Sequence, residues 1–347
     1  MRKHFDVDVK QGRPARPAQT TPGLLEDRFG RSKKKLRLSL TDRCNFRCGY
    51  CMPEDPEWVP RSQLLSYEEL ESVARLFVDK LGITNIRLTG GEPLVRRGVP
   101  GFVARLDALR AIGLKRISLT TNAALLDRHA GALAEAGLDD VNISIDSLDP
   151  ERFRAMTGGG EVEGVLRGIR AARDAGLSMK LNAVVIRGEN EDDVLPLARW
   201  AREEGIPLRF IEFMPLDARG GWQPQKVVPE ADIVAALERE FQVARLPRSR
   251  EPATYYTLNG GYRIGVIATV SNPFCSTCDR VRVTAMGEIY PCLFSPHCTD
   301  LKTPLRDGAG EDDLLQVIRG AVWNKDKGFI ENSGYVQRSI TMHGLGG

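Results

Sequence analysis

KLRLSLTDRCNFRCGYC, residues 35–51, joins a short β-rich run to a loop bearing Cys44, Cys48 and Cys51. In its first half Leu36, Leu38 and Leu40 alternate with Arg37, Ser39 and Thr41, which predicts a strand with one apolar and one polar face. Further strand candidates follow at 85–89 (NIRLT), 116–120 (RISLT), 141–146 (VNISID), 180–186 (KLNAVVI) and 208–213 (LRFIEF). Amphipathic stretches at 67–81, 102–112, 128–136, 162–175 and 191–204 separate them. Ser66 and Glu69 have capping-box spacing, and Gly82, Gly113, Gly137, Gly176 and Gly205 stand where helices end. Six β/α repeats imply a parallel sheet with right-handed crossovers, open or curled into part of a barrel.

The strand faces choose between these. Leu36, Ile86, Leu88, Val141, Ile143, Leu181 and Ala183 share a face suited to packing under helices. The other face carries Arg37, Ser39, Arg87, Thr89, Ser118, Thr120, Asn142, Ser144, Asp146, Lys180 and Asn182. A closed eight-stranded barrel fills its interior with branched apolar side chains, and a doubly wound sheet is apolar on both faces. A polar, cation-bearing face fits an incomplete (β/α)6 TIM-type barrel whose lumen holds a large anion.

The 347 residues carry 49 basic and 46 acidic side chains, a formal net charge of +3, too weak for a nucleic-acid coat. No apolar run is long enough for a membrane span, and the basic start lacks the apolar core of a signal peptide. These features point to a cytoplasmic protein with seven reduced cysteines and neither a nucleic-acid nor a membrane partner. Residues 1–33 read as a flexible lead-in, 34–216 as the partial barrel, and 217–347 as a C-terminal cap. The run from Arg31 to Arg37 (RSKKKLR) reads as a solvated approach to the first strand rather than a nucleic-acid patch. His4, His129, His297 and His343 do not cluster and read as surface or loop residues.

Three thiolates spaced C-x3-C-x2-C on one loop can hold three irons of a [4Fe–4S] cube and leave the fourth open, whereas structural zinc wants a fourth protein ligand. Gly90-Gly91-Glu92-Pro93 ends the second strand, and glycines there let a ligand approach the backbone. A second triplet, Cys275, Cys278 and Cys292, fits another open cluster; a zinc ribbon completed by Cys298 is the structural alternative. Arg280 and Arg282 flank Val281 and share one side of a strand, an arrangement suited to clamping phosphates.

The first triplet, with Tyr50 before its third cysteine, followed one β/α unit later by GGEP, resembles the radical S-adenosylmethionine (SAM) superfamily. With C-x2-C-x13-C, the adjoining R-x-R and the terminal Gly346-Gly347, residues 25–347 resemble the GTP 3′,8-cyclase (molybdenum cofactor biosynthesis protein A) family. That resemblance implies a partial barrel, a C-terminal cluster-binding region, two [4Fe–4S] clusters on the two triplets, and a homodimer. It places SAM at Tyr50, Gly91, Ser144 and Met214, and GTP at Arg37, Arg87, Thr120, Lys180, Arg280, Val281 and Arg282. It implies cleavage of SAM to a 5′-deoxyadenosyl radical that takes hydrogen from C3′ of GTP, after which C3′ joins C8. The product, a 3′,8-cyclised dihydroguanosine triphosphate, would pass to the next enzyme of the molybdopterin pathway; the electron donor is unspecified. Gly346 and Gly347 would form a catalytic tail reaching into the barrel. Two departures stand out: Ala123 in the TTNA loop (120–123), strained if φ > 0 is required there, and Cys298, which has no place in the pattern. The alternatives are a peptide-modifying radical SAM enzyme, which usually needs more cysteines, and a non-catalytic zinc scaffold.

Overall fold

The computed structural model describes residues 23–216, 219–249, 251–328 and 341–346. Six strands alternate with helices: β1 (Lys35–Ser39), α1 (Tyr67–Arg75), β2 (Asn85–Thr89), α2 (Val99–Asp107), β3 (Arg116–Thr121), α3 (Ala130–Glu135) and β4 (Asp140–Ser144). Then come α4 (Pro150–Thr157), α5 (Val162–Asp174), β5 (Ser178–Val185), α6 (Val194–Glu203) and β6 (Leu208–Glu212). The C-terminal region adds α7 (Glu230–Glu238), β7 (Val243–Arg245), β8 (Thr254–Leu258), β9 (Tyr262–Ile267), β10 (Arg280–Val283), β11 (Glu288–Tyr290) and β12 (Thr299–Asp300). It ends in α8 (Lys302–Arg306), α9 (Glu311–Trp323) and α10 (Met342–Leu345).

Local chemistry sets the boundaries. Ser66 Oγ accepts from the Glu69 amide at 3.1 Å while Glu69 Oε2 accepts from the Ser66 amide at 2.6 Å, so the capping box of α1 is complete. The alternation gives no sign of α4, a short helix started by Asp149, whose side chain accepts from the Arg152 amide, and by Pro150.

One sheet runs in the order β12-β11-β10-β1-β2-β3-β4-β5-β6-β9-β8-β7. From β10 to β9 its neighbours are all parallel, so β9 and β10 extend the six-stranded series at both edges. The C-terminal region is therefore built into the sheet as well as over it. The outer pairs are antiparallel, and the row ends at β7 and β12 without closing on itself among the described residues. Leu36, Leu38, Leu88, Leu119, Val141, Leu181, Leu208, Val266 and Val281 are buried in the core under the helices.

Residues 23–33 correct the expected lead-in. Leu25, Asp27 and Lys33 are buried, and Asp27 accepts from Arg31 Nε and Lys33 Nζ, each at 2.7 Å. Arg31 and Lys33 are thus internal ion-pair partners rather than parts of a solvated run, because each finds a carboxylate or carbonyl inside the fold. Residues 1–22 lie outside the described ones.

Candidate active site

The first cysteine loop leaves β1 and is pinned to the end of β2. Gly91 N donates to Thr41 O and Glu92 N to Arg43 O, both at 2.8 Å. A Cβ on Gly91 would lie 2.3 Å from Arg43 O, and one on Gly90 (φ 148°) would lie 2.4 Å from Thr41 O. These glycines therefore admit the chain's own cysteine loop, a reason different from the ligand approach read in the sequence. Buried Glu92 then accepts from the Leu94 amide at 3.0 Å, Thr121 Oγ1 at 2.8 Å and the Asn122 amide at 2.7 Å. Asn122 Nδ2 reaches Asn45 Oδ1 at 2.8 Å, tying the end of β3 to the same loop. Next to it Ala123 has φ 60°, so the strain anticipated for alanine is present. Across the loop, Tyr50 OH donates to Asp146 Oδ2 at 2.6 Å, and Asp146 Oδ1 accepts from the Val184 amide at 2.8 Å.

Burial dominates the electrostatics here. It pushes the Cys44 thiol up to about 11 and Cys51 to about 12, and lifts Cys48 well above its usual range. Burial likewise raises Glu92 to about 7 and Asp146 to about 6. A bound cationic cluster would supply the positive charge that makes thiolates of these thiols.

The second loop is the reverse. Burial would raise the Cys278 thiol, but Arg280, Lys325 and Lys33 outweigh it and hold the group well below the usual range. Among the described residues no three His, Cys, Asp or Glu side chains converge as they would around a single metal ion. Cys298 stands apart beside Glu288 and Tyr290.

Between the loops runs a band of cations. The register sets Arg282 beside Arg37 and Arg37 beside Arg87, while Thr120, Asn142 and Lys180 align across β3, β4 and β5. Burial, then Arg282, Arg87, Arg280 and Arg209, push Arg37 well below its ordinary range; burial brings Arg87 down to about 10. Burial and then Arg209 lower Lys180. Mutual repulsion of this kind is relieved by a polyanion. The hydroxyls of Ser39 and Thr120 are buried with no hydrogen-bond partner, leaving polar atoms ready for a ligand.

The chain end enters the same space. Arg37 Nη1 lies 3.4 Å from the Gly346 carbonyl, and a Cβ on Gly346 (φ 77°) would fall 2.1 Å from Ser39 Oγ and 2.7 Å from Thr89 Cγ2. Leu216, Phe294 and Met342 form an apolar cluster against Cys51, Met214 and Cys292, bringing one cysteine of each triplet together with the tail. Gly347 lies outside the described residues.

One expectation is corrected. His343 is buried, with its ring edge-on to Trp58 and Nδ1 2.7 Å from Thr341 Oγ1, because its helix packs into the barrel. Val281 lies in the core, since strand alternation turns its side chain away from Arg280 and Arg282. Ser144, on β4, pairs with Asn182 in the register. Arg209, Lys33 and Lys325 escaped the sequence reading. Arg209, which donates to Asn182 Oδ1 at 3.0 Å, was signalled by the alternation of β6, where it is the cation between Leu208 and Phe210.

A partial barrel with a C-x3-C-x2-C loop after β1 and a glycine pair after β2 defines the radical SAM class. Residues 38–201 match the model of the Radical SAM superfamily, and residues 206–330 that of Molybdenum Cofactor Synthesis C. The chain belongs to the GTP 3′,8-cyclase family. It is 45% identical over 339 residues to a GTP 3′,8-cyclase of Corynebacterium glutamicum, covering 93% of this chain and 89% of that one. A relative of the same description from Mycobacterium ulcerans is 46% identical, covering 94% of this chain and 92% of its own. The crystal structure of Streptococcus suis SuiB bound to precursor peptide SuiA shares the fold at 15% identity, with a TM-score of 0.58 over 85% of this chain and 65% of that one. The activity is therefore radical SAM-dependent conversion of GTP to its 3′,8-cyclised dihydro product for molybdenum cofactor synthesis, with two [4Fe–4S] clusters and SAM as cofactors. No described helix is long and apolar enough to cross a membrane.

Proposed function

We propose that Cys44, Cys48 and Cys51 hold the cluster that serves SAM, and that Cys275, Cys278 and Cys292 hold the one that serves GTP. When bound, the first cluster supplies the electron that breaks a carbon–sulfur bond of SAM. The chain's own contribution is position and exclusion of water. Gly91 and the backbone beside it, Ser144, Met214 and Tyr50, held by Asp146, line the side of the first loop where SAM binds. Arg37, Arg87, Lys180, Arg280 and Arg282, with Arg209, neutralise the triphosphate, and Thr120 offers its hydroxyl. Val281 contributes through its backbone. The apolar cluster of Leu216, Phe294 and Met342 keeps water from the space between the loops, and the Gly346 backbone fills what remains beside Ser39.

The observation that carries this reading is the cation band lying between two three-thiol loops. Anaerobic incubation with SAM, GTP and a reductant, followed by mass analysis, should show a cyclised isomer of GTP and one 5′-deoxyadenosine per turnover. Deoxyadenosine without a GTP isomer would overturn it. A homodimer and transfer of product to the next pathway enzyme rest on the family resemblance, and a cytoplasmic location on the composition and the apolar-poor start of the chain.

A further inference from the structure

The second cysteine loop is gripped by two buried lysines. Lys33, 0% exposed, donates to Asp27 Oδ2 at 2.7 Å and to the Cys278 carbonyl at 2.9 Å. Lys325, 2% exposed, donates to Cys278 Sγ at 3.3 Å and to the Arg280 carbonyl at 3.1 Å, and Arg280 Nη2 lies 3.6 Å from the same sulfur. Arg31 holds the loop from behind through the Cys275 carbonyl at 2.9 Å and the Asp326 carbonyl at 2.8 Å. Of the nearby carboxylates, Asp27 faces Arg31 and Lys33, and Asp279 faces Lys35. None among the described residues pairs with Lys325. A buried ammonium whose partners are a sulfur and a carbonyl is expensive unless that sulfur carries negative charge.

We propose that Lys325 is a positioning residue of the second cluster: its ammonium donates to the Cys278 thiolate that ligates iron, fixing the loop and raising that cluster's reduction potential. A cation and an N–H···S bond favour the electron-richer reduced state. The Cys44 sulfur receives instead a neutral amide, Phe46 N at 3.4 Å, and the side-chain amide of Asn122 at 3.8 Å. Two clusters of one type are thereby kept at different potentials in one chain. The inference rests on the assignment of Cys275, Cys278 and Cys292 as ligands.

The test uses the full-length chain with Cys44, Cys48 and Cys51 replaced by Ala, so that the second cluster is observed alone. Iron and sulfide are counted after anaerobic reconstitution, and the midpoint is followed by electron paramagnetic resonance during a redox titration. Lys325→Met should raise the oxidised-to-reduced ratio at a fixed potential about tenfold, a fall of about 59 mV for a one-electron couple. Lys325→Arg should return it toward the parent. Loss of iron in Lys325→Met that Lys325→Arg restores would equally support the role. An unmoved midpoint at full iron content, or the same iron loss in both variants, overturns the inference. A parent that binds no iron or sulfide overturns the ligand assignment itself, and so the two failures are told apart.

Discussion

Cys44, Cys48 and Cys51 lie among carboxyls and amides, whereas Cys278 of the second triplet lies against Arg280 and Lys325. Asp146 adds to the burial that keeps Cys48 and Cys51 protonated. Arg280 and Lys325 make Cys278 acidic despite its burial. The difference separates the tasks of two loops with the same number of thiols. The loop beside carboxyls suits a ligand bearing a sulfonium and an ammonium. The loop continuous with Arg282, Arg37 and Arg87 suits a triphosphate.

The largest effects should come from removing the thiols, which breaks the comparison outright. Replacing Cys44, Cys48 or Cys51 by Ala should abolish 5′-deoxyadenosine release and leave the second cluster in place. Cys292→Ala should spare uncoupled SAM cleavage and stop cyclisation. Native cyclisation by Cys292→Ala would remove the second loop from the reaction.

Next are the glycines that admit backbone where side chains cannot go. Gly91→Ala would force its Cβ to within 2.3 Å of Arg43 O, so the first loop should detach from β2. First-cluster iron should fall severalfold while the second cluster persists. Gly346→Ala, 2.1 Å from Ser39 Oγ, should leave both clusters intact but lower the product formed per 5′-deoxyadenosine released. An unchanged ratio would make the tail a passive terminus.

The cation band should give intermediate effects. Arg37→Ala, Arg282→Ala or Arg209→Ala each removes a charge-assisted contact of about 1.5–3 kcal/mol, or roughly 10- to 100-fold in GTP affinity. SAM affinity should hardly move. Equal loss of both ligands in calorimetry would mean that the arginines support the fold rather than the substrate.

How much of this was legible depended on which physical pattern carried it. The period of two along β1 to β5 exposed the cation face before any fold was in view, since alternation is a property of single strands. Arg209 obeys the same rule but stands between Leu208 and Phe210, in a short strand with too few residues to show the alternation clearly. Lys33 and Lys325 were illegible for another reason. Their partner is the second cysteine loop, 245 and 47 residues away respectively, and nothing local in the sequence marks either lysine as buried. The places of β9 and β10 in the sheet were hidden similarly, because parallel pairing with β6 and β1 joins distant segments.

The smallest predicted effect concerns Glu92, the carboxyl on the anionic side of the comparison. Burial raises it from 4.5 to about 7, while the unfolded chain gives up that proton near 4.5. Between those values the folded state binds the extra proton, so Glu92's contribution makes stability fall as pH rises, levelling off above about 7. Thr121 Oγ1 donates to Glu92 at 2.8 Å, a bond that favours the charged form and opposes the rise. Thr121→Val should therefore carry the fall to higher pH. At pH 8, where Glu92 is charged in the native chain, the substitution should cost about 1.5–3 kcal/mol; at pH 5.5, where the carboxyl is neutral, the cost should shrink to about 0.5–1.5 kcal/mol. Urea midpoints of the iron-free chain and its variant at the two pH values measure the difference. Burial and then Lys325 bring the Lys33 ammonium down to about 8, so it titrates near the upper pH, but it does so in both chains and cancels in their difference. A cost that is equal at both pH values would mean that Glu92 is already charged at pH 5.5, and that burial does not set its state.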